Sequence, residues 1–170
     1  AQKNSITAND ERNYLHYLDR ETIFDCQSAH GSPLHIAIKK GNYEMVKWLI
    51  SLRANTNHTC THQPIHQRNR SVSACALPPL HYALSLDFKH GRSVTNMTKI
   101  VRLLLKAGAN SSLQTTDGND DTALHIAFRH LHPASQYLAE KTPDLTLENR
   151  LGNTAFHVLS QHREVIGALN

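Results

Sequence analysis

The sequence predicts an all-α fold, an α-solenoid of stacked helix–turn–helix units, on three observations. Residues 32–55, SPLHIAIKKGNYEMVKWLISLRAN, read as one complete helix, turn, helix unit. Its opening returns in register at Pro78, Thr122 and Thr154, as PPLHYA, TALHIA and TAFH. Two short helices cannot bury their own apolar faces, so the copies must cover one another.

In the first unit Ser32 offers an N-cap hydroxyl and Pro33 a preset φ at the first helical position. Leu34, Ala37 and Ile38 then share a face, and Gly41 ends the helix. Met45, Val46, Leu49 and Ile50 give the second helix its apolar stripe, with Trp48 beside them. In the second copy the spacing predicts a helix over 96–106 with Ile100, Val101, Leu104 and Leu105 facing the core and Gly108 as its stop. The third copy is preceded by the turn-rich stretch TDGNDD at 116–121, and Pro133 marks its inter-helix turn. In the fourth, HREVIGAL imitates a second helix, and with Gly167 it reads as a truncated end, expected of a chain cut from something longer.

These openings, with the helix exits at IVRLLLKAGAN and at 134–144, resemble the ankyrin repeat, whose signature is T-P-L-H-x-A with a period of about 33 residues. The resemblance covers nearly all of residues 26–170 and implies ankyrin-like helix pairs joined by β-hairpin-like finger loops. Arg53 stands where the family has its turn glycine. The chain is expected to form one domain: an N-terminal cap over 1–27, helical at 11–18, then repeat 1 at 28–57. An insertion follows at 58–77, then repeat 2 at 78–114 with a second insertion at 87–95. Repeat 3 takes 115–147, and 148–170 are a partial repeat 4 or a C-terminal cap. The first insertion lies where the family has a finger, and the second between two helices; loops of this kind are tolerated because stability comes from neighbouring helices.

The length, 170 residues with 39% hydrophobic side chains, suits one core, and no apolar run approaches the ~20 residues of a membrane span. No secretory signal is visible in AQKNSITANDER. Cys26, Cys60 and Cys75 have no framework spacing, so reduced thiols and an intracellular setting are expected, cytoplasmic with the nucleus as the alternative. A phosphate-binding glycine loop, a dinucleotide fingerprint, a nucleophile elbow and a zinc-protease helix are all missing from the sequence. No enzyme activity and no cofactor are expected.

Thirteen histidines invite a metal or proton-transfer reading. His35, His81, His125 and His157 share one slot, and the resemblance implies that they are structural, hydrogen-bonding across neighbouring turns. His58, Cys60, His62 and His66 carry zinc-compatible ligand atoms within nine residues, with Cys75 further on. Their spacing matches no zinc signature, and a polar exposed loop is the reading preferred over a metal site.

Charge is unevenly spread. Residues 45–116 hold nine basic side chains and one acid, while the whole chain is only +4, so a basic middle lies between acidic ends. Solvated helix faces explain part of this. The resemblance implies that first-helix ends and finger tips form a concave binding surface. The matching residues are Lys39, Lys40, then Lys89, His90 and Arg92, then Arg129 and His130, then His162 and Arg163; Arg68 and Arg70 join from the finger side. Tyr82, Tyr43 and Phe88 are candidate apolar contacts. The expected function is a monomeric, non-catalytic protein-interaction module that binds an acidic or phosphorylated partner segment on this basic surface. Two alternatives remain open: the targeting portion of a larger pathogen effector or enzyme, acting in a host cytosol, or a binder of nucleic acid or anionic surfaces. The basic stretch lacks the interleaved aromatics that single-stranded nucleic acid requires.

Overall fold

The computed structural model describes residues 31–59, 77–86 and 94–167, with side chains to residue 161. Seven helices lie in them: α1 Pro33–Lys39, α2 Tyr43–Ser51, α3 Pro79–Ser85, α4 Val94–Lys106, α5 Ala123–Arg129, α6 Ser135–Lys141 and α7 Ala155–Gly167. The first helices pack in chain order, α1 on α3 on α5 on α7. The second helices lie against their own partners, and α2 packs on α4. The core runs between these rows and is filled by Ile38, Leu49, Leu80, Leu84, Met97, Ile100, Leu104, Leu124 and Leu138, all fully buried. The fold is thus an all-α repeat solenoid, as the periodicity predicts. Among the described residues the fingers contribute single antiparallel bridges, Gln114 with Thr122 and Glu148 with Thr154.

Two boundaries differ from the sequence reading. Helix α4 begins at Val94 rather than Asn96, and its first turn is tied by the Thr98 hydroxyl donating to the Val94 carbonyl. Helix α7 runs unbroken to Gly167, where a turn and a second helix were expected. No glycine or proline stands between Ser160 and Ile166 to stop it, unlike the Gly41 and Pro133 turns.

The repeated histidine explains how copies are stitched together. Nε2 of His35, His81 and His125 donates to the carbonyls of Leu77, Leu113 and Asn153 at 2.9, 2.8 and 2.8 Å. A carbonyl only accepts, so each neutral ring carries its proton on Nε2 and presents Nδ1 as an acceptor. The N-cap hydroxyl fills that role: Ser32 Oγ and Thr122 Oγ1 each lie 2.7 Å from Nδ1 of the histidine three residues on. His157 keeps the same contact with Thr154, at 2.9 Å, on an exposed ring.

The second copy breaks this pattern. Its N-cap is Pro78, which has neither hydroxyl nor N–H, and Nδ1 of His81 is buried without a hydrogen-bond partner. Pro78 has φ −57° and ψ 153°, close to Thr122 at −79° and 168°, so threonine fits the same backbone. Pro78→Thr is expected to raise stability by about 1 kcal/mol, the cap gain less the lost proline rigidity. Urea denaturation at neutral pH checks this, and an unchanged or lower midpoint refutes it.

Helix exits show a second internal comparison. Gly41 and Leu131 close the first helix of their copies with the same pair of backbone bonds, Gly41 N to Ile38 O and Asn42 N to Ala37 O, against Leu131 N to Phe128 O and His132 N to Ala127 O. Gly108 and Arg53 do so after the second helix. All four have positive φ, 65° and 89° for the glycines, 49° for Leu131 and 65° for Arg53. The left-handed conformation suits glycine and strains a side chain. Leu131 is 54% exposed and buries little in return. Leu131→Gly and Arg53→Gly are each expected to stabilise by up to about 1 kcal/mol, read as a rise in thermal midpoint; a fall in both would contradict the strain argument.

Candidate partner-binding surface

Because the first helices stack in order, their C-terminal ends lie along one edge of the pile. Lys39 ends α1 and Lys40 caps it; both are exposed, and positive charge there complements the carbonyl end of the helix. Two copies on, Arg129 and His130 occupy the same positions at the end of α5, also on the surface. Between them α3 ends in uncharged Ser85 and Leu86.

Arg129 is not a spare cation. Its guanidinium forks onto the Asp121 carboxylate, Nη2 to Oδ1 at 3.0 Å and Nη1 to Oδ2 in a still closer contact. Asp121 is only 2% exposed against 41% for the arginine side chain, and its Oδ1 also accepts from Asn149 Nδ2 at 3.0 Å. Arg129 therefore neutralises a buried charge that joins two fingers, a structural task in addition to the partner contact expected of it. Neighbouring bonds tighten the junction: Gln114 Nε2 donates to the Asp120 and Glu148 carbonyls at 3.0 and 2.8 Å.

Tyr82 likewise has a packing role. It is 7% exposed, with its ring 5.5 Å from that of His35, so most of it packs between copies. Tyr43 is half-buried against the core. Arg68, Arg70, Phe88, Lys89, His90 and Arg92 lie outside the described residues, as do the side chains of His162 and Arg163 and the whole 1–27 cap. Cys26, Cys60, His62, His66 and Cys75 also lie outside them; His58 is described and half-buried. Among the described residues no group of three His, Cys, Asp or Glu side chains could hold a metal ion. Nor, among them, is any helix long and apolar enough to cross a membrane.

Burial favours the uncharged ring at His35, His81 and His132. Loss of water pushes His81 down to about 4 from 6.5, against a smaller upward pull from its bond to Leu113. Burial likewise lowers His132 to about 4, aided by nearby His130, and lowers His35. Such rings are scaffold groups, poorly suited to proton transfer near neutrality.

The charge count in the sequence also pointed to residues whose placement it did not reveal. Lys47 and Arg53 lie on and just after α2, and Lys99, Arg102 and Lys106 on α4; all are exposed on the second-helix row, away from the Lys39 edge.

Sequence comparison meets this geometry at the repeats themselves. The ankyrin repeat family pattern matches residues 31–61 and 77–116, spanning the first two helix pairs and the histidine ties between them. The chain is built of ankyrin repeats. It is similar to human B-cell lymphoma 3 protein, 32% identical over 132 residues that cover 75% of this chain and 25% of that protein. It is also similar to human Rabankyrin-5, 36% identical over 86 residues, 49% of this chain and 7% of that protein. The chain thus spans a quarter or less of the length of these relatives. Ankyrin repeats are in general protein–protein interaction modules, typically without catalysis and commonly in intracellular proteins.

Proposed function

We propose that this ankyrin chain is a non-catalytic, monomeric, intracellular interaction module that captures an acidic or phosphorylated segment of a partner protein. The segment lies along the edge formed by the first-helix ends, with Lys39 and Lys40 as cationic contacts. The observation that carries this reading is the ordered packing of α1, α3, α5 and α7, which brings Lys39, Lys40 and His130 to one edge. Lys89, His90 and Arg92 follow α3 in the sequence, and Arg68 and Arg70 belong to the insertion at 58–77. Charges of this kind steer an acidic ligand and speed its arrival more than they deepen its binding.

Titration of a fluorescein-labelled acidic phosphopeptide tests the reading. Charge reversal at Lys39, Lys40, Lys89 and Arg92 is expected to weaken binding by about tenfold or more at low salt, with an unchanged helical spectrum. Unaltered binding would reduce the edge to solvated surface. Arg129 is left in place, because its reversal would disturb the fingers.

A further inference from the structure

The second-helix row carries the other concentration of positive charge. Lys99, Arg102 and Lys106 are exposed and recur at i, i+3 and i+7 on α4, a helix of 13 residues without an acid. They form one stripe about 10 Å long at ~1.5 Å per residue. Helix α2 packs beside α4 and adds exposed Lys47, with Arg53 at its exit; Glu44 is the single acid of the two helices. Among the described residues none of the five cations forms an ion pair, whereas Arg129 does. The Arg102 guanidinium sits 5.0 Å from the centre of the Tyr137 ring on α6, which holds its planar fork in place.

We propose that this outer face, α2 with α4, is a second docking surface, and that its occupant is an acidic helix of a partner protein. A helix with carboxylates at i, i+3 or i+4 and i+7 presents them at the same rise as the α4 stripe, so three charge pairs form in one register. The cationic face supports this occupant over others. Tyr137 is half-buried beneath Arg102 and Trp48 is half-buried in the core, leaving no open aromatic on which bases could stack. The exposed stripe of Thr95, Lys99, Arg102 and Lys106 carries no apolar side chain to enter an acyl layer, and the exposed apolar residues of the two helices are single ones, Leu52 at the exit of α2 and Val94 at the start of α4. The surface lies on the opposite row from the Lys39 edge, so the two readings stand or fall separately.

Fluorescence anisotropy with a labelled helical peptide of glutamate and alanine, its glutamates at i, i+3 and i+7, tests the proposal on the full chain. Lys99→Glu/Lys106→Glu, which spares the Arg102–Tyr137 contact, is expected to weaken binding by about tenfold at low salt. Equal binding by the Lys99/Lys106 variant overturns the proposal. So does tighter binding of a single-stranded oligonucleotide or of phosphatidylserine vesicles than of the peptide. If Lys39→Glu/Lys40→Glu loses the peptide while Lys99→Glu/Lys106→Glu keeps it, the outer face is refuted and the edge reading gains.

Discussion

Replacing Arg129 with alanine is expected to lower the stability of the fold by about 2 to 3 kcal/mol. The substitution leaves Asp121 at 2% exposure without its forked partner, holding only the Asn149 amide donor among its side-chain bonds. A buried carboxylate stripped of its counter-charge must be rehydrated or protonated, and either disturbs the junction between the two fingers. The arginine itself is 41% exposed and regains water when the contact is lost, which keeps the effect below that of a fully buried pair. Arg129→Lys keeps charge but not the fork and should fall between alanine and the natural protein. Removing both charges, as Asp121→Ala/Arg129→Ala, should recover part of the loss, since no unpaired buried charge remains. Urea denaturation of the three variants decides: a change under about 0.5 kcal/mol for Arg129→Ala would mean that water already solvates Asp121.

That contact also shows where sequence reading stopped. The openings at Ser32, Pro78, Thr122 and Thr154 were legible because helical period, cap residue and histidine recur together, and each is a local property. The stacking of first helices followed, since a repeated apolar face has no other cover. The partner of Arg129 was not legible. Asp121 lies eight residues earlier in a finger whose path depends on positive φ at Asp120 and on bonds to the next finger, none of which has a period. The burial of Tyr82 was not legible for a related reason. Its slot holds half-buried Ile36 in the first copy but lies buried against His35 in the second, so position in the repeat did not fix exposure. The outer basic stripe was visible as spacing in α4, yet only the packing of α2 on α4 showed that its charges share a face with Lys47. In the last copy, expecting a pair of helices hid a plain fact: nothing from Gln161 to Ile166 breaks a helix.

Mild acid is expected to unfold this solenoid more readily than neutral solution, through histidines that the core keeps neutral. His81 and His132 titrate at about 4 in the folded chain against 6.5 for an ordinary histidine. The unfolded chain therefore takes up protons first. The stability these rings contribute is complete above about pH 6.5 and is lost as pH falls toward about 4. At about pH 5 each accounts for a loss of about 2 kcal/mol, so together about 4 kcal/mol, a large share of a typical domain's stability. His35, also lowered by burial, adds in the same direction. At His81 the second proton must go to Nδ1, which faces no acceptor because Pro78 is the N-cap; at His132 it must displace the Ala134 N–H that Nδ1 accepts at 3.0 Å. Protonation thus brings both a buried charge and a broken or missing hydrogen bond. Urea midpoints at about pH 7.5 and about pH 5 measure the effect. His81→Gln retains a donor for the Leu113 carbonyl but no titrating ring, and should remove close to half of the pH dependence while lowering stability at neutral pH. Equal midpoints at the two pH values, or an undiminished dependence in the glutamine variant, would show that these rings gain protons without unfolding the stack.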